Sequence, residues 1–222
     1  MKFCLQLNPQ VSIQKAGASL MPTLIEQARI ADAVGFDAVS MGDHYNIPGL
    51  QRLNQIPALA RLSADLKNCA VGPAVMLLGL RHPVTVASEL ASLDVLNDGK
   101  SFAAFGLGYR EQELNAFNLT KAQRYQRFVE GVEIVRKLWT EDNVSFQGKA
   151  FTLKNVTVDP KPLQKPRPPI WIAANTDAAA FLAANDIPAK RLQNPNVHVK
   201  SIIIEFGCAP AAHRRRVRKL SH

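Results

Sequence analysis

A chain of 222 residues with 47% apolar and 20% charged side chains has the composition of a soluble globular protein of one large or two small domains. Its longest apolar run, residues 69–80, is broken by Gly72, Pro73 and Gly79 and is too short for a bilayer-spanning helix. The net charge of +9 sits at one end: residues 1–186 carry 19 basic and 17 acidic side chains, and residues 187–222 carry eight and one.

Residues 2–8 read as a first strand, with no signal-peptide apolar stretch before them. Pro22 opens an expected helix to about residue 34, with Leu24, Ala28 and Ala31 on one face and Gly35 as its stop. Strand two covers 37–41, a short helix 56–64, and strand three 70–76. After His82-Pro83 a helix runs over 84–96 and closes at Asn97-Asp98-Gly99, and 101–106 is strand four. Thr120 and Gln123 form a capping box before a long helix. Within it Phe128, Val132, Val135 and Trp139 recur at helical spacing, and Glu133 with Lys137 supplies an i,i+4 pair. VSFQGKAFTL at 144–153 reads as a hairpin, PKPLQKPRPP at 160–169 as a connection, and 170–174 as strand five; SIIIEF at 201–206 is a candidate sixth.

Cys4, Cys69 and Cys208 are widely spaced with no CxxC, which argues against a disulfide framework or zinc site and for a cytoplasmic location. HRRRVRKLSH near the carboxyl end has the charge to meet RNA, DNA or an anionic membrane. It has no interleaved aromatic and no recognised nucleic-acid module before it, so a solvated tail is the expectation. HExxH, nucleophile-elbow and P-loop patterns are all missing from the sequence.

Short apolar strands alternating with helices indicate a parallel α/β sheet, either an open doubly wound sheet or an eight-fold barrel. In both, ligands sit at the carboxyl ends of the strands. Those ends read Asn8-Pro9-Gln10, Gly42-Asp43-His44-Tyr45, Val75-Met76 followed by Arg81-His82-Pro83, Gly106-Leu107-Gly108-Tyr109-Arg110-Glu111-Gln112-Glu113, and Ala174-Asn175-Thr176. His44 is an acid–base candidate, because imidazole titrates near neutrality, and Asp43 is the residue expected to orient it. At Asn175-Thr176 a strand hands over to a helix, so a phosphate site and a plain N-cap are both open. His82 is expected to be structural.

In order and spacing, GFDAVSMGDHY, VGPAVMLLGLRHPVTVASELASLDVLNDGKSFAAFGLGYREQE, the helix ending in LW, and PPIWIAAN resemble the bacterial luciferase-like monooxygenase family over about residues 1–180. The resemblance implies a TIM-barrel-like (β/α)8 fold, here incomplete, with five to six of eight strands. It implies reduced FMN, or alternatively a deazaflavin coenzyme, acting on a small organic substrate with O2 or by hydride transfer. A flavin reductase supplying the reduced cofactor, and a homodimer formed through helices two and three, are the implied partners. By the same resemblance Ala74, Val75 and Met76 form a bulge with a non-prolyl cis peptide at Ala74-Val75 behind the flavin ring. Gly106 and Gly108 border the cofactor, Glu113 anchors its loop, His44 contacts the oxygen side, and Asn175 with Thr176 approaches the phosphate. The family pattern fades near Phe181, leaving residues 181–222 as an atypical basic tail, as a truncation, a frameshift or a natural short form would. A non-catalytic flavin-binding form is the remaining alternative.

Overall fold

The computed structural model of the chain describes residues 3–12, 20–174, 202–206 and 217–219. The chain runs β1 (Cys4–Leu7), β2 (Gln10–Ser12), α1 (Leu20–Ala33), β3 (Ala38–Met41), β4 (Leu50–Arg52) and α2 (Gln55–Ser63). It continues with β5 (Ala70–Leu77), a 3₁₀ turn (Leu78–Leu80), α3 (Pro83–Leu96), β6 (Ala103–Gly106), α4 (Glu111–Ala116) and α5 (Lys121–Thr140). The hairpin β7 (Val144–Gln147) and β8 (Thr152–Val156) follows, then β9 (Ile170–Ala174), β10 (Ile202–Phe206) and β11 (Val217–Lys219).

The five expected strands form one sheet in the order β1-β3-β5-β6-β9, each pair parallel. The sixth expected strand also joins the sheet, but β10 pairs antiparallel with β9, and β11 antiparallel with β10. Among the described residues the parallel series therefore holds five strands. A parallel neighbour needs a crossover back to the amino end of the sheet, whereas an antiparallel one needs only a reversal of the chain. Most of the basic tail lies outside the described residues, and its residues 217–219 form β11.

Helices cover the sheet in sequence, α1 against α2, α2 against α3 and α3 against α5. The α5 stripe Phe128, Val132, Val135 and Trp139 is buried as its spacing predicts, and the Trp139 indole Nε1 donates to Ala87 O at 2.9 Å. The capping box also forms: Gln123 N–H donates to Thr120 Oγ1 at 3.2 Å and Thr120 N–H to Gln123 Oε1 at 2.9 Å. His82 Nδ1 caps α3 by accepting from Val84 N–H at 3.4 Å, the structural role expected of it. Burial, with the Arg127 charge beside it, holds the His82 pKa below its ordinary value.

Two buried carboxylates fix the connections that sequence periodicity does not describe. Glu130 of α5 accepts from the backbone N–H groups of Lys149 (2.7 Å), Ala150 (3.0 Å) and Phe151 (3.0 Å), clamping the β7–β8 hairpin onto the helix. A Cβ at Gly148 would lie 2.2 Å from Glu130 Oε2, so the turn there needs glycine. Asp94, fully buried near the end of α3, accepts from Ser101 Oγ (2.6 Å), Gln164 N–H (3.0 Å) and Gln164 Nε2 (2.6 Å). It thereby ties the proline-rich connection to the start of β6 and delivers β9 alongside it.

Candidate functional site

β3 is buried at all four positions and ends at Met41, where the chain runs on through Gly42 to Tyr45. Asp43 N–H still donates to Val75 O at 3.0 Å, so the extension lies against β5 rather than turning away. The Asp43 carboxylate is buried and accepts from Leu77 N–H (3.2 Å) and from Arg81 Nε (3.3 Å) and Nη2 (3.4 Å). Arg81 in turn meets Glu89 Oε2 at 3.4 Å, and its guanidinium stands 5.6 Å from the Tyr45 ring centroid. Burial, with the Asp43 charge, pushes the Tyr45 phenol pKa up. Burial also raises Glu89, against the opposing pull of Arg81.

Asp43 does not orient His44. That expectation rested on adjacency, but successive residues of an extended chain point to opposite faces, and the Asp43 carboxylate is already satisfied by β5 and Arg81. The carboxylate on His44 is Glu113 from α4: its Oε1 lies 2.9 Å from His44 Nδ1 and accepts from Tyr45 N–H at 2.8 Å. Glu113 is 1% exposed, and its second oxygen has no partner among the described residues. A carboxylate acceptor places the proton on Nδ1 and leaves Nε2 as the ring's other polar atom.

The Ala74-Val75 peptide is cis, and the β5–β6 register shifts between Ala74 and Met76, which is the expected bulge. Gln6 Nε2 donates to Ala74 O at 2.9 Å and fixes the bulge to β1. Ala74 and Val75 are half-buried, but Met76 is fully buried in the main core. Met76 therefore supports the bulge from behind and presents no surface to a ligand, because the bulge turns only its first residues outward. Gly106 faces Val75 closely: a Cβ there would lie 2.7 Å from Val75 Cγ2. Gly108 adopts φ +74°, and its carbonyl accepts from Arg124 Nη1. Asn175 and Thr176 lie outside the described residues.

A cavity of about 380 Å³ opens at the carboxyl ends of β1 and β3. Gln6, Asn8, Gln10, His44, Arg52 and Arg110 supply its polar lining. Sequence reading did not single out Arg52, because the three-residue β2–β4 ribbon that presents it has no periodicity to detect. Arg110 stands within GLGYREQE, and its position directly after a glycine-rich strand end is the one local signal for it. A second hollow, of about 520 Å³, lies on the helix layer between α2 and α3 and shares no lining residue with the first. Among the described residues no cluster of three or more metal-ligating side chains occurs, and no helix is long and apolar enough to cross a membrane.

The chain resembles known proteins in sequence and in fold. The F420-dependent glucose-6-phosphate dehydrogenase of Microbacterium testaceum is 30% identical over 169 residues, covering 72% of this chain and 49% of that protein. The oxygenase component of the flavin-dependent trigonelline monooxygenase of Acinetobacter baylyi is 28% identical over 177 residues, covering 78% and 49%. Monooxygenase RslO1 from Streptomyces bottropensis superposes with a TM-score of 0.78 at 31% identity, covering 84% of this chain and 57% of that structure. This chain thus spans about half the length of the curated relatives it matches. The model of the luciferase-like monooxygenases matches residues 1–188, so the parallel sheet described above is part of that family's fold and the chain belongs to the luciferase-like monooxygenase family.

Proposed function

We propose that this chain carries the amino-terminal part of a flavin-dependent monooxygenase site that uses reduced FMN and O2 on a small organic substrate. The observation that carries the reading is His44 at the end of β3, its Nδ1 held by buried Glu113 and its ring lining the cavity. The residues present suit a flavin. Ala74 and Val75 offer an apolar surface that Gly106, lacking a Cβ, allows β6 to approach, and Gly108 leaves backbone accessible beside it. Asn175 and Thr176 are the proposed phosphate contacts. FMN, when bound, supplies the redox chemistry. The protein's part is to position the ring against the bulge and to present His44 Nε2 for a hydrogen bond or proton. Glu113 fixes the imidazole in one orientation while it does so.

A flavin reductase as supplier of the reduced cofactor belongs to this reading, supported by one relative named as FMNH2-dependent and another named as an oxygenase component. So do a cytoplasmic location and a homodimer formed through the hollow between α2 and α3, where Leu96 is 60% exposed. A deazaflavin-dependent hydride transfer is the second reading, favoured by the 30% identity to an F420-dependent dehydrogenase.

Titration of the purified chain with FMN and, separately, with F420 tests both readings, by cofactor fluorescence and by the thermal midpoint. Saturable FMN binding with a raised midpoint, and faster or slower reoxidation of bound reduced FMN by O2 in His44→Gln, is the expected result. F420 binding alone selects hydride transfer, and binding of neither overturns both.

A further inference from the structure

We propose that the cavity at the ends of β1 and β3 receives an anionic group of the substrate, a carboxylate or phosphate oxyanion, gripped by Arg52 and Arg110. The inference deepens the flavin reading and rests on it for the identity of the ligand as substrate.

Two guanidinium groups line one cavity of about 380 Å³, and neither forms an ion pair among the described residues. Arg52 is held from behind: Nη1 donates to Gln10 Oε1 at 2.9 Å and Nη2 to Gly42 O at 2.6 Å. Its remaining N–H groups meet no acceptor among the described residues. Burial lowers the Arg52 pKa; Asp43 and Glu113 act against that lowering, and the Arg110 charge adds to it. Arg110 donates no hydrogen bond among the described residues. Its Nε is buried without a partner, and its guanidinium lies 5.6 Å from the ring of neighbouring Tyr109.

The nearby carboxylates Asp43 and Glu113 act on the Arg52 charge from behind the wall, but neither forms an ion pair with Arg52 or Arg110 among the described residues. Asp43 is taken by Arg81 and Leu77 N–H, Glu113 Oε1 by His44 and Tyr45 N–H, and neither residue lines the cavity wall. Two like charges facing one partly desolvated space repel, and an oxyanion between them converts that repulsion into charge-assisted hydrogen bonds. Gln6 and Gln10 are already committed, to Ala74 O and to Arg52, so the cavity is set as a rigid cationic recess beside His44. An anion seated there would tether the substrate with its remaining atoms next to the imidazole.

Calorimetric titration of the full chain at low ionic strength with sodium benzoate and with inorganic phosphate, each with and without saturating FMN, tests the proposal. Saturable binding of one anion is expected, retained in the presence of FMN. Arg110→Gln is expected to weaken it about 10-fold or more with FMN affinity and thermal midpoint unchanged. The arm that binds distinguishes a carboxylate from a phosphate substrate. Phosphate that competes with FMN would assign the arginines to the cofactor's own phosphate and overturn the proposal. FMN binding with no binding of either anion, or anion binding indifferent to Arg110→Gln, would also overturn it. Arginine-dependent anion binding by a chain that binds no FMN would sink the flavin reading and leave the oxyanion recess standing. Arg52→Gln is a second variant, but Arg52 also ties β4 to Gly42, so Arg110→Gln decides.

Discussion

Gly106→Ala probes the contact between the end of β6 and the β5 bulge. The added Cβ would sit 2.7 Å from Val75 Cγ2 and 3.3 Å from Val75 Cβ. Carbon atoms pack at about 3.5–4.0 Å, so the closer pair overlaps by about 1 Å. Val75 is β-branched and has few rotamers into which to retreat, and both strands are anchored by pairing on each side. Overpacking of this kind costs about 1–3 kcal/mol. The smaller conformational freedom of the unfolded alanine chain offsets about 0.4–1 kcal/mol of that. A net loss of about 1–2 kcal/mol corresponds to a urea midpoint lower by about 0.3–2 M, for slopes of about 1–3 kcal/mol/M. Gly42→Ala is the matched control: its Cβ would meet Arg52 Nη2 and Gln6 Nε2 at 3.5 Å, ordinary contact, so its midpoint should move little. Urea denaturation followed by Trp fluorescence reads both variants. Equal midpoints for Gly106→Ala, Gly42→Ala and the parent would refute the packing argument. If the bulge backs a flavin, Gly106→Ala should also weaken FMN binding, whereas a stability loss alone would confine the contact to folding.

Arg81→Gln leaves buried Asp43 and half-buried Glu89 without their shared cation, and a loss of about 3 kcal/mol is expected in thermal or urea unfolding. Arg81→Lys should recover only part of it, because an ammonium lacks the planar fork whose Nε, Nη1 and Nη2 reach both carboxylates here; a wild-type midpoint for Arg81→Gln would contradict the network. Asp94→Ala strands the buried donors of Ser101 and Gln164 and should cost about 3 kcal/mol or more, with proteolysis of the proline-rich connection as an independent readout. Glu130 has a native pKa below its ordinary 4.5: burial acts to raise it, but Gln126 and the N–H groups of Lys149, Ala150 and Phe151 outweigh burial. Its contribution is therefore fully present above the unfolded value and lost as pH falls through the lower native value. Urea midpoints should drop more between pH 6 and pH 3.5 in the parent than in Glu130→Gln, and parallel pH profiles would count against that role.

The sequence by itself determined the strand–helix alternation, because apolar strands and the stripe through Phe128, Val132, Val135 and Trp139 write their burial locally. The α5 capping box and the structural role of His82 were legible in the same way, each from a few consecutive residues, and the position of the bulge was legible through the family resemblance. Which carboxylate holds His44 was another kind of question. Asp43 is the neighbour in sequence, but extended backbone aims it at β5 and Arg81, while Glu113 arrives from 69 residues away on α4. Met76 read as ligand-facing because the family resemblance carries the whole Ala74-Val75-Met76 stretch to the flavin wall, whereas the packing of this chain places Met76 in the core. The antiparallel pairing of β10 is likewise absent from its apolar run, since parallel and antiparallel partners demand the same residue types there. Only the tertiary structure could place Arg52, from a three-residue ribbon, in one cavity with Arg110 and His44, because that meeting depends on long-range pairing and on no local pattern.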